Sequence, residues 1–455
     1  FDTIVLWIQI GLLLFYGAAV YIYLFKEKYR GVCLVLIMLA FYSEILANSY
    51  WVTSEVYRKP AGEYAAYSSE QEALVSSIQT YDESAFYRME QNENRDRKTY
   101  DNSFFANESL AYGYSGIQQY SSSYDKKTAD FILAMGYCKG VFPSFYHEPI
   151  LTSDSLLGVR YLMSSKAYFG LEHVEEIPER NGKSVYYNPY ALNLGFSVSD
   201  NVLDSIPVGS QFDVNSIGQD NPFEFQNRVY SAILGEDIAL YEPVKADCVY
   251  DEVSKKIIYS IPKLDGNDMV YGYTRSTMDA IPMDINGEFS CYYRSDWANM
   301  GIYQAGMLSQ ENQVCFNVRD FEVDAEQLDG QMQSVFYKLN MDVFEQVIER
   351  LRNGAFEPEV FEDGHVSGNY YAEEDGWLML TIPNEENWTV TVNGAEVQAE
   401  DGVNLFMTIP VQAGEDRVEL RYHVKGISAG IAVSIASVII FSALSVADHR
   451  KRKII

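Results

Sequence analysis

Three long apolar runs constrain this chain more than any other feature: Val5–Phe25, Val32–Trp51 and Gly426–Ala447. The first carries no charge, and the second is interrupted only by Glu44 and Asn48. Each is close to the ~20 apolar residues that cross a bilayer as a helix. Lys26, Lys28 and Arg30 separate the first two runs, and Arg450, Lys451, Arg452 and Lys453 follow the third. Cytoplasmic flanks are enriched in Lys and Arg, so both clusters are expected on the cytoplasmic side. Residues 53–425 are then expected outside, and the first run would pass from outside to inside. The chain opens at Phe1-Asp2, almost inside that run. It therefore reads as the C-terminal part of a larger multi-pass protein.

Charge narrows the partners. The chain has 34 Lys/Arg and 64 Asp/Glu, a net charge of −30. Only seven of the basic and four of the acidic residues lie outside 53–425. A surface this acidic repels nucleic acid and anionic headgroups. It would also repel a polyanionic wall polymer unless divalent cations intervened, and such a cation is the one cofactor left open. Five scattered histidines and the lack of any CxxC spacing argue against a zinc site. Cys138, Cys248, Cys291 and Cys315 would face an oxidising side. Spacing does not fix their pairing, and Cys291 with Cys315 is the first guess because they sit in neighbouring strand-like segments.

The fold class expected is a membrane protein of α+β type, with three transmembrane helices flanking a large extracytoplasmic region. Residues 1–52 form two helices, 53–200 an α/β domain, 201–425 a β-sandwich region of jelly-roll type, and 426–455 the last helix with its basic tail. In the α/β part, Ser69-Glu70-Gln71-Glu72 starts a helix carrying Leu74, Val75 and Ile78, and Lys126–Met135 forms another that Gly136 ends. Ala85–Met89, Val159–Met163 and Val185–Tyr187 read as strands. Beyond residue 201 short β-branched and aromatic segments follow one another, divided by Asn286-Gly287 and Asn393-Gly394. Those dipeptides favour the positive φ of type I′ hairpins. One amphipathic helix, about 342–352, interrupts them with Val343, Phe344, Val347, Ile348 and Leu351. The pattern allows one sandwich with an inserted helix or two small ones.

Few residues stand out as chemistry. Glu44 and Asn48 share one face of the second run, and an ionisable residue at that depth is a functional candidate. It could line a cavity for a polar lipid-linked substrate, or serve as a polar contact between helices. Residues 112–123, with Tyr114, Ser121 and Ser122, alternate aromatic, small and hydroxyl side chains just after Asn102 and Asn107. Tyrosine faces with hydroxyls suit sugar binding. Arg88 could meet a phosphate with its planar fork, or pair with a nearby acid. Paired carboxylates are too frequent in so acidic a chain to nominate as catalytic acids. No Gly-Xaa-Ser-Xaa-Gly elbow, P-loop or dinucleotide fingerprint is present.

Several segments in order carry a resemblance. They are Phe86-Tyr87-Arg88, Tyr112–Ser123, Asp154-Ser155-Leu156-Leu157-Gly158-Val159-Arg160-Tyr161, Tyr187-Asn188-Pro189-Tyr190-Ala191-Leu192, Asn221-Pro222-Phe223-Glu224-Phe225-Gln226-Asn227, and Leu380-Thr381-Ile382-Pro383 before the closing run. Together they resemble the C-terminal part of the bacterial YfhO family of membrane proteins. The resemblance implies a multi-spanning glycosyltransferase of GT-C type, which takes a sugar from a polyprenyl-phosphate donor and passes it to a cell-wall glycopolymer such as lipoteichoic acid. It also implies residence in the bacterial cell membrane, contact with membrane lipid, and catalytic acids in an earlier external loop. No catalytic residue is therefore assigned. Glu44, Asn48, Arg88, Tyr114, Ser121 and Ser122 are expected to bind substrate. The competing expectation is a membrane-anchored glycan-binding or wall-assembly module without enzymatic activity.

Overall fold

The apolar runs form helices whose side chains face outward. A computed structural model describes residues 3–55, 61–92, 107–139, 143–208, 213–293 and 301–452. The molecule divides into two units, Phe1–Glu70 and Gln71–Ile455. In the first, helices Thr3–Phe25 and Arg30–Glu55 are joined by the single 3₁₀ turn Glu27–Tyr29. Leu13, Leu14, Leu39 and Leu46 are exposed, which suits a lipid solvent and not water. Among the described residues, two helical stretches are long and apolar enough to cross a membrane: Glu27–Tyr50 and Ile427–Val446. The N-terminal run contributes the shorter apolar helical stretch Ile10–Phe25. Lys453 lies outside the described residues.

Helix Ala61–Tyr81 begins eight residues before the expected Ser69 cap. Glu63, Ala65 and Ala66 are good helix formers, so nothing stops the helix at the serines. Its Leu74, Val75 and Ile78 are buried against a four-stranded sheet. That sheet runs in the order Arg88–Gln91, Val159–Ser164, Ser184–Tyr187, Glu172–His173. The first pair is parallel and the others antiparallel. The strand expected at Ala85–Met89 starts later, at Arg88.

Two sandwiches follow rather than one. The first stacks a five-stranded sheet (Asp247–Asp251, Lys256–Ile261, Asn312–Asn317, Ile281–Ile285, Glu288–Tyr293) on a four-stranded one (Tyr303–Met307, Met269–Ser276, Met332–Leu339, Tyr241–Val244). Ile257, Val270, Ile281, Val314 and Phe316 fill the space between. The second pairs two five-stranded sheets around Leu378, Leu380, Ile409, Val418 and Leu420. One of its strands, Gly195–Val198, lies between Ala355–Phe356 and Gly376–Pro383. The division expected at residue 200 therefore does not separate two bodies.

The outer faces of one sheet from each sandwich meet a central layer of helices. Tyr271, Tyr273 and Tyr337 from the first sandwich and Phe196, Met379 and Phe406 from the second share one core with helices Lys126–Ala134, Pro222–Leu234 and Met341–Asn353. Helix Pro222–Leu234 was not foreseen, although its start is well marked. Asn221 accepts from the backbone N–H groups of Phe223 and Glu224, Pro222 needs no donor there, and Gly235 closes the helix at φ 71°.

The type I′ expectations hold at Asn286-Gly287 (φ 52° and 85°) and Asn393-Gly394 (φ 54° and 79°). The cysteine pairing does not. All five cysteines are free, and Cys291 and Cys315 lie on strands that flank Ile281–Ile285 from opposite sides.

Candidate functional site

Arg88 opens its strand at a register shift, opposite Val159, where the ladder with Val159–Ser164 is irregular. Its guanidinium donates to the Leu157 carbonyl, to Thr381 Oγ1 at 3.2 Å and to the Thr381 carbonyl at 2.8 Å. The Phe86 ring centroid lies 4.9 Å away. No carboxylate among the described residues forms an ion pair with it. Burial lowers this guanidinium to about 10, which still leaves it charged at neutral pH. Because Thr381 belongs to Gly376–Pro383, the arginine also ties the mixed sheet to the second sandwich.

A cavity of about 380 Å³ opens beside it, within the usual range for small-ligand sites. Tyr114, Gln118, Tyr124 and Asn107 supply polar groups, and Phe131 and Phe406 an apolar floor. Two residues along the strand from Arg88, Glu90 faces the same side and is buried. Its carboxylate accepts from the N–H of Ile117, from the N–H of Gln118 at 2.8 Å and from Gln118 Nε2 at 2.9 Å. Burial raises its pKa, and these bonds oppose the rise. A Cβ on Gly116 would lie 2.9 Å from Glu90 Oε1, so glycine is what lets the loop approach. Glu90 thus fixes residues 116–118 as a cavity wall. Its oxygens are already occupied, which suits support and not proton transfer.

Asn107 clasps the far edge. Its side chain accepts from Tyr120 N at 2.8 Å and donates to Tyr120 O at 3.1 Å. Asn102 lies outside the described residues. Of the residues expected to bind substrate, Arg88 and Tyr114 line one cavity. Ser121 and Ser122 are not among its lining residues. Ser121 caps a turn by accepting from Ser123 N at 3.1 Å, and Ser122 is exposed. Glu44 and Asn48 belong to the N-terminal unit. Glu44 accepts from Tyr16 OH at 3.0 Å across the helix pair, and Asn48 is exposed. Among the described residues no three His, Cys, Asp or Glu converge as metal ligands.

The segments that carried the resemblance mostly do structural work. Asp154 is buried and accepts from Tyr137 OH at 2.7 Å and from Tyr146 OH. Burial pushes its carboxyl up to about 7, against the lowering effect of both hydroxyls. Asn188 donates to Ser155 Oγ and to the Val159 carbonyl. Arg160 pairs with Asp82 at 2.8 Å. Glu90 and Thr381 are the site residues that sequence reasoning missed. Glu90 had one available signal, its i+2 spacing from Arg88 on a strand. Thr381 stood only within the family-like segment Leu380–Pro383, and nothing in the sequence joined it to Arg88, 293 residues away.

The apolar helices suit a membrane protein, and the Gln71–Ile455 unit holds two sandwiches and a cavity lined by polar and apolar side chains. The family model described as "Bacterial membrane protein YfhO" matches residues 2–434. The chain belongs to the YfhO family. An uncharacterized YfhO protein from Bacillus subtilis (strain 168) is 22% identical over 108 residues, covering 22% of this chain and 12% of that protein. The matched region is thus a small part of that relative's length. Solved structures align only distantly. A conserved protein of unknown function from Pseudomonas aeruginosa PAO1 covers 40% of this chain and 93% of its own at 7% identity and a TM-score of 0.13. A salicylate 1,2-dioxygenase from Pseudaminobacter salicylatoxidans covers 42% and 78% at 9% identity and a TM-score of 0.12. Scores this low carry no argument about fold or chemistry.

Proposed function

We propose that this chain is the C-terminal, substrate-holding part of a GT-C-type glycosyltransferase-like membrane protein. The whole protein would move a sugar from a polyprenyl-phosphate donor to a cell-wall polymer such as lipoteichoic acid. Residues 53–425 would lie outside, as the basic flanks of the apolar runs imply. Family membership supports the general class. The observation that carries the role of this chain is Arg88: a half-buried cation beside a cavity, hydrogen-bonded to neutral oxygens and in ion-pair contact with no carboxylate among the described residues. Such a group favours a phosphate or an oxygen-rich sugar over a cation.

The described cavity offers binding groups and no unoccupied carboxylate. Glu90 is spent on its loop, and no Asp or Glu is among the residues that line the cavity. In this reading the chain binds and orients, and acid–base chemistry is supplied by another part of the protein. The test is sugar transfer by the intact protein carrying Arg88→Lys or Tyr114→Ala. Both should lower transfer while protein level is maintained. Arg88→Lys keeps the charge but loses the fork, and Tyr114 is only half-buried. Unchanged transfer in both would remove the cavity from the reaction.

A further inference from the structure

The mixed sheet carries another cavity, of about 340 Å³, that shares no lining residue with the Arg88 cavity. It sits where helix Ala61–Tyr81 ends, and both Tyr81 and Asp82 line it. Strand register builds its base. Tyr161 lies opposite Tyr187, and Tyr187 opposite Glu172, so the three form one row across neighbouring strands. Residues directly opposite in an antiparallel pair share a face of the sheet. Tyr161 is buried and its hydroxyl donates to Asp82 at 3.1 Å, so it serves as floor and offers no polar group. Tyr81 stands edge-on to it, with ring centroids 6.5 Å apart, and remains 51% exposed. Tyr187 is half-buried, and its hydroxyl forms no hydrogen bond among the described residues.

The lining is negative. Asp82, Glu172 and Glu176 accompany one guanidinium, Arg160. Arg160 is already engaged: it pairs with Asp82 at 2.8 Å and donates to Ser84 and Asn193. Glu172 and Glu176 are exposed and make no hydrogen bond or ion pair among the described residues. The helix acts in the same direction. Its carbonyl end carries partial negative charge, and no basic residue in the last turn offsets it.

We propose that this cavity binds a small organic ammonium ion. The electron-rich face of a tyrosine ring attracts an ammonium group, and unpaired carboxylates supply its counter-charge. An anion would be repelled by the same groups, and a neutral ligand would gain nothing from the helix end. Among the described residues no three His, Cys, Asp or Glu converge as metal ligands, so the aromatic wall and not a ligand cage sets the preference among cations. Tyr81 and Glu172 are the groups free to make these contacts, one from the helix end and one from the edge strand of the sheet. This site does not depend on the sugar-transfer reading of the Arg88 cavity.

The experiment is calorimetric titration of choline into the full chain in a maltoside detergent, which carries no ammonium group. The comparison ligand is dimethylbutanol, the uncharged carbon isostere of choline. Wild type should bind choline, and dimethylbutanol roughly tenfold more weakly. Tyr81→Ala should weaken choline by roughly fivefold, about the value of one cation–π contact, while Tyr81→Phe keeps the ring and stays close to wild type. Glu172→Gln should weaken choline and leave dimethylbutanol unchanged. Both side chains are exposed, so each variant should keep the wild-type thermal midpoint. No measurable choline binding by wild type at millimolar choline, equal affinity for the uncharged isostere, or choline affinity unmoved by both Tyr81→Ala and Glu172→Gln would each overturn the proposal.

Discussion

Interior polar residues hold the body together here, while half-buried Arg88 faces a cavity. Asp154 belongs to the first group, and its chemistry gives a pH signature. Its folded carboxyl titrates near 7, above the unfolded value of about 3.9. A carboxyl raised on folding binds its proton more tightly in the folded state. Its contribution to stability is therefore full below about pH 4, declines as pH rises towards 7, and is flat above. The urea midpoint of the full chain in detergent, followed by tryptophan fluorescence, should fall over that window in wild type. Asp154→Asn should flatten this part of the profile. Asp154→Ala should cost about 2–4 kcal/mol below about pH 4, since it strands two buried tyrosine hydroxyls, and less as pH rises towards 7. Gly116→Ala is a milder change. It pushes the 116–118 loop off Glu90 and should weaken cavity binding before it lowers stability, as ligand titration against the urea midpoint would reveal. Sequence pointed to Arg88 and Tyr114 through residue type alone. Glu90 stayed hidden because 64 acidic residues make any one of them unremarkable, and only strand register distinguishes it. Ser121 and Ser122 had the right composition, but the Asn107 clasp on Tyr120 turns the chain before them.

Local signals located most elements and missed their partners. Helix Met341–Asn353 and the two Asn-Gly hairpins follow from periodicity and from positive φ. Helix Pro222–Leu234 carries an equally plain Asn-Pro start, yet its aromatic content reads as strand until the Asn221 cap is recognised. Asn221→Ala should therefore cost about 0.5–2 kcal/mol from the cap alone, with more from the lost bonds to Ile217 and Tyr337. Its urea midpoint should drop by the corresponding amount. Pairing was beyond reach of the sequence. The expected Cys291–Cys315 bridge failed because two strands close in sequence need not be adjacent in the sheet, and Ile281–Ile285 lies between them. The choice between one sandwich and two was open for a similar reason: Gly195–Val198 pairs with strands almost 200 residues further on.

At the scale of the molecule, the Gln71–Ile455 unit has a central helical layer covered on both sides by sandwiches. The order of helices and strands was legible, because hydropathy and turn chemistry are local. The cavity was not, because Arg88, Gln118, Thr128 and Thr381 meet only after that layering. Orientation gives a direct prediction. Cys248 is exposed on the sandwich region, so a membrane-impermeant maleimide should label it in intact cells from which the wall has been removed. Labelling only after lysis would reverse the topology. The central claim is that the Arg88 cavity holds substrate for sugar transfer. Its most direct test is the rate of transfer from a polyprenyl-phosphate-sugar by the intact protein, wild type against Tyr114→Ala and Arg88→Lys at matched protein level. A fall in both variants is predicted; full activity in both would contradict the account.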